Sequence, residues 1–226
     1  MCASAMAFGG MLAIIALLLA WHGMPGAMDA FGAGSPELVI GVGGSGDIPS
    51  VALIAPGRPP VVVLPGGAMD AMQLRNALQN RGCRQISALF MPTSAPFPKG
   101  AEVLARGFAI CTLAAAIDPR SRQDWSQLQR QALSDGVSVA MMPPRHDGKS
   151  WQCELPDCRL SYRKMPEGRF LAELRHGDGD GMLAVLELLP SGELAIASGA
   201  GGKMRIAKTS RAQVVVMPLD RTPPEK

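Results

Sequence analysis

The sequence predicts an α/β protein built from two mixed sheets with helices outside them, preceded by one apolar membrane segment. Three observations carry this. Short β-branched runs and helical repeats alternate through the middle of the chain, and strands dominate afterwards. Gly (26) and Pro (19) are abundant in the 226 residues, as a strand-and-turn architecture requires. Finally, no Asp, Glu, Lys or Arg occurs before Asp29.

The apolar segment comes first. Residues 1–28 contain Met11–Trp21 (MLAIIALLLAW), preceded by the softer apolar Ala3–Gly10 (ASAMAFGG). About 20 such residues at ~1.5 Å rise each cross a ~30 Å hydrocarbon core, so the segment reads as a transmembrane or signal-anchor helix. A cleaved signal peptide would have a positive n-region and a small-residue cleavage site, and a buried core helix would show a polar face. The nearest cation is Arg58, so charge gives no orientation. Residues 29–35 form a linker, residues 36–218 the globular domain, and residues 219–226 a polar tail.

Within the domain, Glu37–Val42, Val51–Ala55 and Val61–Leu64 are short apolar runs joined by tight turns, which predicts an antiparallel meander. Ala71, Leu74, Ala77 and Leu78 recur at helical spacing within Met69–Arg81, and Gly82 ends that helix. Ile86–Met91 is a strand, Gly100–Arg106 a short helix, and Phe108–Ala114 a strand. Ser121–Ser134 is a helix with Trp125, Leu128 and Leu133 on its apolar face, stopped by Gly136. Val137–Met141 is a strand. Further strands lie around Trp151 and at Cys158–Tyr162, Met182–Leu189, Glu193–Ser198 and Gln213–Met217.

Composition excludes several classes. A charge of +3 is too small for a strongly basic nucleic-acid coat protein, and five Cys are too few for a disulfide scaffold. Gly41-Val42-Gly43-Gly44-Ser45-Gly46 matches the dinucleotide fingerprint letter for letter. That loop works only where its last glycines open a helix facing the pyrophosphate. Here Asp47-Ile48-Pro49-Ser50 and a β run follow, so a glycine-rich turn between antiparallel strands is expected. No G-x-S-x-G elbow occurs.

The order of these elements resembles the metallo-β-lactamase-like domain at the C-terminus of ComEC-type competence proteins, which internalise DNA. That family follows an apolar segment with a strand, a V-G-x-G-D turn and a hairpin ending in I-D-G-G. Next come a helix, R-G-I and a strand. The counterparts here are Val42–Asp47, the hairpin Val51–Leu64, Pro65-Gly66-Gly67, Leu74–Asn80, Arg81-Gly82-Cys83 and Ile86–Met91. The resemblance covers residues 38–218. It implies an αββα sandwich, truncated because the family's last strands and helix have no counterpart before Lys226.

The resemblance also locates the family's metal ligands, and they are missing. The H-x-H-x-D-H positions fall on Thr93, Ala95, Phe97 and Pro98. Ser198-Gly199-Ala200 replaces T-G-D, and Leu219-Asp220-Arg221-Thr222 stands near the place of H-H-G-S. Zn²⁺ takes imidazole, thiolate or carboxylate, and hydrolysis needs about three protein ligands around an open position. The expectation is therefore a membrane-anchored, single-pass, non-catalytic relative with no cofactor. Its role would be structural or binding, in DNA uptake, with DNA or a membrane channel protein as partner. The side of the membrane on which the domain lies is undetermined.

Other residues leave alternatives. A metal-dependent, nuclease-like hydrolase could use an atypical site at His146, His176, Asp178 and Asp180; solvated turns are the simpler reading. Cys153 and Cys158 flank a hairpin turn and fit either a disulfide or two unpaired thiols. Cys83 and Cys111 read as small core residues. Lys203, Arg205, Lys208, Arg211 and Arg221 form a loose basic stretch, suited to a solvated strand face or to phosphates. With few aromatics and none interleaved, it is no stacking platform. A partner-binding module unrelated to DNA, or a decayed remnant, fits the same residues.

Overall fold

A computed structural model describes residues 35–44, 48–91, 97–116, 130, 132–142, 150–154, 158–166, 169–176, 181–207 and 211–219. The expected membrane segment and linker lie outside these residues. Among the described residues no helix is long and apolar enough to cross a membrane.

The first sheet has seven strands in the order β13-β1-β2-β3-β4-β5-β6. β1 (Glu37–Val42), β2 (Ser50–Ile54) and β3 (Val61–Leu64) form the expected antiparallel meander. β4 (Gln85–Met91), β5 (Ala109–Ala116) and β6 (Ser138–Met142) continue parallel to β3. The last strand, β13 (Gln213–Pro218), returns to pair with β1. Strands β1 to β3 are almost wholly buried, which is why their sequences are near-continuous apolar runs rather than alternations.

Two helices fill the parallel crossovers. α1 (Ala68–Asn80) buries Ala71, Leu74 and Leu78. Leu74 and Leu78 are fully enclosed, each contributing about 1.5–3 kcal/mol of burial. The helix stops in a Schellman motif. Gly82 (φ 78°) donates to the Gln79 carbonyl at 2.9 Å, and the Cys83 N–H donates to that of Leu78 at 3.0 Å. α2 (Phe97–Ala105) packs beside α1 on the same face of the sheet, as right-handed crossovers demand. The predicted Ser121–Ser134 helix lies mostly outside the described residues. Its described end closes with a second Schellman pair at Gly136. Leu133, assigned to its apolar face, is exposed; Ala132 is the buried residue.

The second sheet is a six-stranded meander in the order β12-β11-β10-β9-β8-β7, antiparallel throughout. The expectation of two mixed sheets therefore holds for the first alone. Its strands are β7 (Ser150–Glu154), β8 (Cys158–Lys164), β9 (Phe170–His176), β10 (Met182–Leu188), β11 (Leu194–Ser198) and β12 (Lys203–Ile206). The sequence reading missed β9 and β12 because charged residues interrupt their apolar alternation.

One hydrophobic core joins the two sheets. At its centre Tyr162 packs on Phe90 across the interface, with ring centroids 5.1 Å apart, and on Phe170 at 5.6 Å. Of the expected tail only its first residue is described. Leu219 is buried, and its N–H donates to the Pro36 carbonyl at 2.8 Å. The described layers are thus helices, first sheet and second sheet, and no described helix covers the outer face of the second sheet.

Candidate functional site

Two places warrant analysis: the strand ends where the resemblance puts a metal site, and the open face of the second sheet.

At the strand ends glycines bring backbones together. Gly41 faces α1 so closely that a Cβ there would lie 2.5 Å from the Asp70 carbonyl oxygen. The Gly43 N–H donates to Asp70 Oδ1 at 2.8 Å, and Asp70 is 1% exposed. This carboxylate ties the β1–β2 turn to the first turn of α1, where the helix dipole favours a negative charge. Gly66 takes φ 66°, and the Gly67 N–H donates to the Ile48 carbonyl at 2.9 Å. Of the fingerprint-like glycines, Gly41 lies in β1, Gly43 and Gly44 follow it between antiparallel β1 and β2, as the sequence reading expects, and Gly46 lies outside the described residues.

The expected ligand positions are for the most part outside the described residues. Thr93, Ala95 and Asp220–Thr222 lie outside the described residues, and of Phe97 and Pro98 only the helical backbone is described. Ser198 ends β11, where its Oγ accepts the Gly202 N–H at 2.9 Å in the turn to β12. Of the atypical site only one residue is described. His176 is exposed at the end of β9, whereas His146, Asp178 and Asp180 lie outside the described residues. Among the described residues no three potential ligands cluster.

The cysteines are separate. Cys153 stands opposite Leu160 and Cys158 opposite His176, and neither is in a disulfide. Burial pushes the Cys153 thiol up, and the Glu154 carboxylate adds to the shift. Burial raises Cys83 to about 11, against a smaller lowering by Arg81. Cys111, expected in the core, is exposed instead and accepts a hydrogen bond from Gln85 Nε2 at 3.3 Å.

The open face is more distinctive. Strands β8 to β12 mostly alternate a buried residue toward the core with a half-buried or exposed one outward. The pairing registers place the outward residues in two straight rows. One runs Ser150, Arg163, Leu171, Glu187, Ala195, Arg205; the next runs Gln152, Ser161, Glu173, Val185, Ala197, Lys203. The middle strands carry Leu171, Glu173, Val185 and Glu187, small residues flank them at Ser161, Ala195 and Ala197, and cations stand toward both rims. Arg163 and Arg205 are four strand spacings apart, about 19 Å at ~4.8 Å each.

Two shallow hollows sit on this face. One, of about 260 Å³, lies over β7 to β9 among Ser150, Gln152, Ser161, Arg159, Arg163 and Arg175. The other, of about 370 Å³, lies over β10 to β12 between Val185, Ala195 and Ala197 and the cations Lys203 and Arg205.

Charge on the face is only partly neutralised. Arg159 pairs with Glu154 at 2.7 Å, Arg175 with Glu173 at 3.4 Å and Arg169 with Glu187 at 3.0 Å. Arg163, Lys203 and Arg205 have no ion-pair partner among the described residues. The basic stretch of the sequence thus contributes two members here. Lys208 and Arg221 lie outside the described residues, and Arg211 precedes β13. Sequence reasoning missed Arg163 and Arg175, which only the strand register brings near the others. Nothing along β8 or β9 alone signals that juxtaposition.

Comparisons with protein-family models, with curated proteins and with solved structures find no match to this chain.

Proposed function

We propose that this chain is a non-catalytic, membrane-anchored binding domain that holds nucleic acid against the outer face of its second sheet, in DNA uptake. Its architecture would be a metallo-β-lactamase-like sandwich in which one helical layer is lost or replaced. The observation that carries the reading is the open face itself, with Arg163 toward one rim and Lys203 and Arg205 at the other, none neutralised by a described carboxylate. Phosphate contacts need such cations and no particular base-reading groups. The resemblance to DNA-internalising domains supports the choice of polyanion. The residues Thr93, Ala95, Phe97 and Pro98 support a role without hydrolysis, because none has the donor chemistry zinc takes.

The test is binding of labelled DNA to the full chain in neutral detergent, with and without chelator. Salt-sensitive binding that survives chelation, with no strand cleavage, is expected. Cleavage that depends on a divalent metal would refute the non-catalytic reading, and absence of binding at low salt would refute the nucleic-acid reading.

A further inference from the structure

The edges of the two sheets are treated differently. The second sheet ends in β12, which carries Lys203 and Arg205, and in β7, which carries Glu154. Charges of this kind guard an edge against pairing with another chain. The first sheet ends in β13, whose residues Gln213–Pro218 include no charge. On one side β13 pairs with β1; on the other, no described strand pairs with it. Val214 and Val216 are 43% and 38% exposed, two of only four large apolar side chains so exposed among the described residues. They stand opposite Gly41 and Val39, on the face that bears α1.

From this edge we infer that two copies of the chain pair through β13, antiparallel about a two-fold axis, to form one continuous sheet. In such a pair a residue on the axis lies beside its own image and the others face the residue equally far beyond it, so a charge on this short strand would bring two like charges into one ladder. β13 presents the backbone donors of Gln213–Met217 and its acceptors without that penalty, beside two exposed valines. Pairing satisfies this row and brings Val214 and Val216 of both copies together between the two α1 helices. The other uncharged edge, β6 (SVAMM), is a different surface. Pairing of β13 with β6 of the next copy would be head-to-tail and would grow into an open chain rather than a closed pair.

The experiment is the molar mass of the full chain in neutral detergent, corrected for bound detergent, across a dilution series. The wild type is expected at twice the 23.7 kDa chain mass. V214K/V216K is expected at the single-chain mass with unchanged circular dichroism. If the lysine variant does not fold, V214T/V216T keeps strand propensity and is expected to raise the dissociation constant about tenfold or more. Amide exchange needs no variant: in the pair all amides from Val214 to Met217 are protected, whereas a free edge leaves alternate ones fast. A single-chain wild type overturns the inference. So does a dimer that neither variant weakens, mass that grows without limit, or fast alternate amides in β13.

Discussion

Neutralising the three unpaired cations of the open sheet face gives the sharpest test of nucleic-acid binding, because its size follows from a count. Each phosphate contact releases counterions, so log K falls linearly with log salt, with a slope of about −0.9 per contact on duplex and about −0.7 on single strands. Arg163, Lys203 and Arg205 therefore predict a slope near −2.7 on duplex, or roughly a 40-fold loss of affinity between 50 and 200 mM salt. Arg159 and Arg175 already face carboxylates at 2.7 and 3.4 Å, so they add little unless the DNA displaces those pairs. Each single substitution, R163Q, K203Q or R205Q, should reduce the slope by about 0.9, and the triple variant should bring it close to zero. These side chains are exposed and make no described ion pair, so the fold should hold. Fluorescence anisotropy with a labelled duplex and a labelled single strand reads the slope. Lys99, exposed on α2 across the molecule, is the control, and K99Q should leave the slope unchanged. A slope that the triple variant leaves intact would refute the assignment of the face, whatever the affinity.

Other consequences can be checked on the same protein. Tyr162 is 1% exposed and its hydroxyl has no hydrogen-bond partner among the described residues, so Y162F should be neutral to stabilising by about 1 kcal/mol in chemical denaturation. A loss above about 1 kcal/mol would instead reveal a hydrogen bond to that hydroxyl. Burial also raises the Tyr162 pKa well above its usual 10. The contribution of its neutral phenol is thus full below pH ~10 and falls as pH rises beyond that, so wild-type stability should drop in strong alkali more steeply than that of Y162F. G41A should destabilise the domain by about 3 kcal/mol or more, since its methyl meets the α1 backbone; an unchanged thermal midpoint would contradict that packing. Cys83, raised to about 11 and buried, should react with a thiol reagent near pH 8 far more slowly than exposed Cys111, as mass spectrometry of the labelled peptides would show.

The first sheet was largely legible in the sequence. Strands β1 to β3 are buried on both faces, so they appear as bare apolar runs such as VALI and VVVL, and the intervening helix announces itself through Ala71, Leu74 and Leu78 and its terminal Gly82. The second sheet was less so. A strand with one wet face alternates, and in FLAELRH and KMRI the outward residues are charged, so the pattern resembles a loop. The candidate face was harder still. Lys203 and Arg205 are two apart in sequence and visibly basic, but Arg163 joins their row only through four successive strand registers. Such registers depend on pairings between strands, which no local window contains. Leu219 shows the same limit at the end of the domain. It sits beside polar residues in sequence and owes its burial to Pro36 at the domain's other end.

That last contact has a consequence for how the chain acquires its structure. The second sheet is built entirely from neighbours in sequence, so each hairpin can zip onto the one before it as soon as it exists. The first sheet cannot finish this way. β1 is the earliest strand of the domain and waits for β13, the last, to occupy its free edge. Closing so long a loop costs entropy before any contact repays it, and the step is available only once the final strand has been synthesised. During translation the nascent domain therefore carries an unpaired, largely apolar β1 edge until β13 emerges, which makes the emergence of β13 the event that separates the foldable chain from one that sticks to its neighbours.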